Sequence, residues 1–233
     1  MKCKYCRKPL EQNQIDFCNE MCDRGYKIAQ AITPEENEPI QEETVRVENQ
    51  RFSLFGRRYE NCSFENFTCK NEKQKDVLAK VKAVTTHIKS GNGRIFAFVG
   101  GWGTGKDHLA AAIVKELPGK KILHTTVMKL SREIREAGRD KSVIGQQSII
   151  DKYTSCFLLI LNEIGIQSVT AFEHNIIHEI VDTHYRNMTS VLLISNEGKD
   201  KFQECIDFPG LHRVWDRLND VIIFDWESER GKA

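Results

Sequence analysis

The segment Gly100-Gly101-Trp102-Gly103-Thr104-Gly105-Lys106 follows an apolar run, Phe96–Val99, and leads into an alanine-rich stretch beginning at Asp107-His108. Glycine reaches backbone conformations closed to other residues, so such a loop can curl until successive N–H groups converge on one point. The helix that follows adds the partial positive charge of its first turn, and Lys106 adds a full one. Strand, glycine loop, lysine and helix in that order make a phosphate loop. This reading assigns Gly100, Gly101, Trp102, Gly103, Thr104, Gly105, Lys106, Asp107 and His108 to nucleotide binding. Trp102 could stack on a base, although packing within the loop is the simpler role for it.

The rest of the chain supplies the sheet that such a loop needs. Short apolar runs at Phe96–Val99, Ile122–Val127, Phe157–Leu161, Ser190–Ile194 and Val221–Trp226 read as strands. Lys106–Leu117, Met128–Ala137, Ile149–Tyr153, Ala171–Arg186 and Leu211–Leu218 read as helices. Fully apolar strands separated by helices imply a parallel sheet covered on both faces, an α/β fold. Residues 31–50 hold Pro34, Pro39 and six glutamates, and read as an acidic linker. The organisation expected is thus a small module over 1–30, the linker over 31–50 and one α/β domain over 51–233. A net charge of +1 confines any nucleic-acid contact to a local basic patch. No apolar run is long enough for a signal peptide or a membrane span, so a cytoplasmic setting is expected.

In a reducing compartment, clustered cysteines read as metal ligands. Cys3-x2-Cys6-x11-Cys18-x3-Cys22 forms two short pairs, each able to present two thiolates to one tetrahedral Zn²⁺. Four thiolates close the coordination sphere, which marks a structural rather than a catalytic zinc. Cys62, Cys69, Cys156 and Cys205 lack paired spacing and read as packing residues.

Two positions depart from the usual nucleotide-hydrolysis pattern. Asp107 stands where a Ser or Thr hydroxyl ordinarily meets Mg²⁺, and the strand ending at Leu161 continues with Asn162-Glu163 instead of Asp-Glu. Two readings stand: the carboxylate has moved across the metal site and Asp107 compensates for Asn162, or the site binds nucleotide and hydrolyses it slowly.

Several separated motifs together resemble one family, the bacterial and phage helicase loaders of the DnaC and IstB-like AAA+ group. They are Asn61–Phe67, Gly103–Ile113, Leu158–Gly165, Arg213-Val-Trp-Asp-Arg217 and Ile222–Trp226. The resemblance runs from about residue 60 to 230 and implies an AAA+ P-loop ATPase domain using ATP and Mg²⁺. It implies that Glu163 is the catalytic base and that Asn196 senses the γ-phosphate or the lytic water. Arg213 would be an arginine finger acting in a neighbouring subunit, Arg217 a second sensor, and the chain would self-associate. By spacing alone, the two arginines could equally be a solvated helix face. Loaders of some Gram-positive bacteria carry a similar zinc module, so residues 1–30 would dock a replicative helicase, or else merely cap the domain.

Lys129, Arg132, Arg135 and Arg139 recur at helical steps and form a basic stripe suited to tracking phosphates, and the resemblance implies that this region contacts single-stranded DNA. Glu133 and Glu136 interrupt it, and a solvated helix is the competing reading. His174 and His178 share a helix face but flank Ile176-Ile177, and read as structural. The resemblance implies ATP-dependent loading of a replicative helicase onto single-stranded DNA. An IstB-like transposition helper, or a nucleotide-gated adaptor with negligible turnover, are the alternatives.

Overall fold

The computed structural model describes residues 55–139, 143–165, 171–206 and 221–230. The four-cysteine module, the acidic linker and the segment with Arg213 and Arg217 lie outside the described residues.

Five strands form one sheet: β1 (Ile95–Gly100), β2 (Ile122–Thr126), β3 (Leu158–Ile164), β4 (Ser190–Ser195) and β5 (Val221–Phe224). All neighbours pair in parallel, in the order β2-β3-β4-β1-β5. Side chains alternate across a strand, so each central strand feeds two cores. Ile95, Ala97 and Val99 of β1 join one apolar cluster with Leu159, Leu161, Val191 and Leu193, while Phe96 and Phe98 join the other with Leu158, Ile160, Leu192 and Ile194. Burial on both faces explains why these runs are continuously apolar.

Helices cover both faces. On the side of Phe96 and Phe98 lie α1 (Glu72–Lys89) and α2 (Lys106–Lys115). On the other lie α3 (Val127–Arg139), α4 (Val143–Thr154), α5 (Ala171–Arg186) and α6 (Lys199–Ile206). Helix α1 was not among the expected elements. Its lysine-rich surface conceals a regular stripe of Val77, Val81, Val84 and Ile88, all buried. Asn71 caps it, its side chain accepting the Gln74 N–H at 2.9 Å. Helix α6 was likewise unexpected, and α4 is longer than Ile149–Tyr153. Ile176 and Ile177 are buried, as expected for the core face of α5. Among the described residues no helix is long and apolar enough to cross a membrane.

Strand β3 continues past Leu161 through Asn162 and Glu163 to Ile164, with a register shift against β4 over that stretch. Because β4 lies between β3 and β1, the carboxyl ends of these three strands stand side by side. The glycine loop, Asn162-Glu163 and Asn196 are thereby gathered at one edge of the sheet, where open α/β folds place their ligands.

Phe98 is fully buried in the layer under α1 and α2. Phe98→Ala should cost about 3–5 kcal/mol in chemical denaturation; a cost below about 1 kcal/mol would contradict the packing described.

Candidate nucleotide-binding site

The loop's shape depends on its glycines. Gly105, at the start of α2, has φ 93°, a left-handed conformation. A Cβ there would also lie 2.6 Å from the ring of Phe67, so the lead-in segment packs directly on the loop. Lys106 opens α2 and is only 4% exposed. Its Nζ donates to the carbonyls of Gly100 and Gly101, each at 2.8 Å, and lies 3.4 Å from Thr104 Oγ1. The Thr104 hydroxyl donates in turn to Gly101 O at 2.9 Å. Burial pushes the Lys106 ammonium down to about 8, Asp107 opposes that shift, and the positive charge of Arg230 adds to it.

The acidic half of the site faces the lysine. Asn162 Nδ2 donates to Asp107 Oδ1 at 2.8 Å, and Tyr59 OH donates to Asp107 Oδ2 at 3.4 Å. Asn162 Oδ1 accepts the backbone N–H of Glu163 at 2.8 Å. This holds Glu163 at φ 63°, a left-handed conformation that costs a non-glycine residue about 1–3 kcal/mol. Burial raises the Tyr59 phenol above its ordinary range, and the Asp107 charge raises it further. Asp107 and Asn162 are thus direct partners. A carboxylate at both positions would set two like charges at hydrogen-bond distance, whereas one carboxylate and one carboxamide attract.

A cleft of about 630 Å³ lies over this arrangement. Lys106, Asp107, Asn162, Glu163 and Asn196 all line it, from α2, β3 and the end of β4, as do Trp102, Gly103, Thr104, Gly105 and His108. Gly100 and Gly101 contribute through the carbonyls that hold Lys106. A smaller hollow of about 330 Å³ adjoins the same loop, bounded by Asn66, Phe67, Thr68, His108 and Trp226. His108 fastens the lead-in segment there: its Nε2 lies 2.9 Å from Ser63 O, and its ring meets Phe67 edge-on with centroids 5.4 Å apart. Trp102 is 64% exposed, so packing within the loop, the simpler role expected for it, is not what this indole does.

Four further residues line the cleft without any local signal in the sequence: Arg58, Tyr59, Glu229 and Arg230. Tyr59 reaches Asp107 across 48 residues of chain, and no local periodicity announces such a contact. Among the described residues no group of three or more His, Cys, Asp or Glu side chains is arranged to hold a metal ion.

On α3, Lys129, Arg132 and Arg135 are exposed and Arg139 closes the helix. Glu133, expected to interrupt the stripe, is drawn toward α4, accepting from Lys152 at 2.7 Å and from Tyr153 OH at 3.0 Å. Cys156 is buried, its thiol pushed up to about 12 by burial, while Cys62, Cys69 and Cys205 are partly buried.

A glycine loop on a parallel sheet, a buried lysine, and a polar cluster at the adjoining strand ends define a P-loop nucleotide-binding domain. Residues 43–220 match the family described as IstB-like ATP binding protein, and the chain belongs to that family. The replicative helicase loader DnaC of Escherichia coli strain K12 is 31% identical over 181 residues, spanning 75% of this chain and 71% of that protein. DnaC of Buchnera aphidicola subsp. Baizongia pistaciae is 33% identical over 185 residues, with the same coverage of both. A crystal structure of the DnaC helicase loader superposes with a TM-score of 0.61 over 71% of this chain and 98% of that one. At 17% identity that likeness speaks to the fold alone.

Asn162→Asp should lower the thermal midpoint in EDTA at neutral pH by several degrees, since it replaces an attractive contact with a like-charge one. Combining it with Asp107→Asn should restore most of the loss. Strictly additive effects in the double variant would show that the two side chains are not coupled.

Proposed function

We propose that this chain is an ATPase that loads a replicative helicase onto single-stranded DNA. The observation that carries the reading is the convergence of Lys106, Asp107, Asn162, Glu163 and Asn196 on one cleft beside the glycine loop, in a chain with DnaC helicase loaders as relatives. In this reading the main-chain amides of Gly101–Lys106 and the Lys106 ammonium receive the phosphates of ATP. Oxygen donors suit a hard divalent cation that keeps its waters and needs only one or two carboxylates besides phosphate. Asp107, with Asn162 beside it, would hold Mg²⁺, which when bound neutralises charge on the β- and γ-phosphates.

The chain's own groups perform the remaining work. Glu163, on its strained backbone, orients and accepts a proton from the attacking water, and Asn196 fixes that water or the γ-phosphate. Arg213 and Arg217 act on developing phosphoryl charge, Arg213 in a neighbouring copy, so turnover depends on self-association. Cys3, Cys6, Cys18 and Cys22 hold a structural Zn²⁺, and the module they fold docks the helicase. Lys129, Arg132, Arg135 and Arg139 track the DNA backbone; with Glu133 engaged by α4, their positive charge is less offset than the sequence suggests.

Co-purification of the full chain with a hexameric replicative helicase tests this directly. The expected outcome is a stable complex that releases the helicase onto single-stranded DNA when ATP is supplied, and that is lost in Cys18→Ser with Cys22→Ser. Capture of a transposase on duplex DNA, with no retention of helicase, would assign the chain to transposition instead.

A further inference from the structure

Strand β3 gains a residue on β4 where it reaches the cleft. Leu161 pairs with Leu193 and the next pair is Ile164 with Ser195, so three steps along β3 answer two along β4. That is a β-bulge, a device that re-aims a side chain at the end of a strand. The bulge carries Glu163 at φ 63°, and Gly165, just beyond it, is left-handed as well at φ 93°. A non-glycine residue keeps such a conformation only where its surroundings fix it from several sides.

One tie comes from Asn162, whose Oδ1 accepts the Glu163 N–H. The other comes from Ser195, which ends β4 and has no exposed surface. Its hydroxyl donates to Ile164 O at 2.6 Å, on the far side of the same turn. Gly165 is packed against this tie: a Cβ there would lie 3.0 Å from Cys205 Sγ, 3.1 Å from Glu197 Cγ and 3.7 Å from Ser195 Oγ. Ser195 Oγ also accepts the Glu197 N–H at 3.1 Å, which curls the chain around Asn196. Glu197 O in turn accepts the Gly100 N–H at 3.0 Å, and Gly100 O holds the Lys106 ammonium at 2.8 Å. A chain of hydrogen bonds thus runs from the Glu163 bulge to the loop lysine, with Ser195 in its middle.

We propose that Ser195 is a positioning residue for hydrolysis: its hydroxyl closes the bulge that presents Glu163 and registers it against the phosphate loop. The inference rests on the reading of Glu163 as the base. Glu163 and Asn196 line the cleft, whereas Ser195 is buried, so it acts through Glu163 and not on the nucleotide. Without the hydroxyl, the left-handed turn is held from one side only and the carboxylate drifts from the attacking water. A misplacement of about 1 Å is enough to cost about a hundredfold in rate. Phosphate binding, which depends on the glycine loop and Lys106, persists.

The test measures ATP turnover and MgATP affinity side by side on the full chain, well below the melting transition of each variant. Ser195→Ala should lower kcat about tenfold or more while Kd stays within about threefold. Ser195→Thr, which keeps the hydroxyl, should recover most of the rate. Ser195→Cys fills similar space with a weak donor; it should lose at least about threefold, and it stands in for alanine where that variant fails to fold. In a Glu163→Gln background Ser195→Ala should add little, because its effect passes through that carboxylate. Wild-type turnover in Ser195→Ala, equal losses of rate and affinity, or a fully additive loss in the Glu163→Gln background would overturn the proposal alone. A wild-type chain that binds MgATP without turnover, or undiminished turnover in Glu163→Gln, would remove the base reading and the proposal with it.

Discussion

An ammonium group seated almost out of water organises this site. Lys106 is held by two carbonyls of its own loop, and that arrangement requires the loop to curl, the helix to start at once, and β1 to be pinned by apolar side chains on both faces. A displacement of β1 would carry the carbonyls away from Nζ and leave a buried charge unsatisfied, which is far costlier than the loss of an exposed contact. The two-sided core is therefore part of the binding machinery.

The same logic extends to the acidic half. β3 leaves regular pairing after Leu161, and the irregular stretch carries Asn162 and Glu163. Asn162 touches Asp107 with one end of its amide and the Glu163 backbone with the other. A change at position 162 would be felt at the loop helix and at the candidate base together. With a carboxylate at 107 and a carboxamide at 162, the pair carries one negative charge, where two carboxylates would carry two. Geometry makes the pair mutually compatible.

What the sequence disclosed follows from the range of each interaction. The phosphate loop, the apolar strands and the Asn162-Glu163 pair are legible because glycine spacing, burial and strand endings are local properties. The parallel α/β architecture follows from them. Helix α1 was legible in principle through Val77, Val81, Val84 and Ile88, but its lysines masked the stripe. Tyr59, Glu229 and Arg230 were not legible, since they reach the cleft only after distant segments fold onto the loop. Trp102 shows the opposite failure, a large apolar side chain that local reasoning would bury and that the loop leaves outside. The engagement of Glu133 by Lys152 and Tyr153 likewise depends on α3 meeting α4, which no spacing within either helix reveals.

The central claim is that the desolvated lysine receives a polyanion, and its proton is the most direct reporter. With an ammonium held down to about 8, the free protein loses that charge as pH rises above this value, while bound phosphates favour the protonated form. Binding above about pH 8 must therefore take up a proton, and affinity must fall by up to about tenfold per pH unit. Titrating the full chain with MgATP between about pH 7.5 and 9.5, in buffers of different ionisation enthalpy, measures both quantities. The account predicts proton uptake approaching one per nucleotide at the alkaline end, abolished in Lys106→Met. Affinity independent of pH, or no binding heat at any pH, would contradict it.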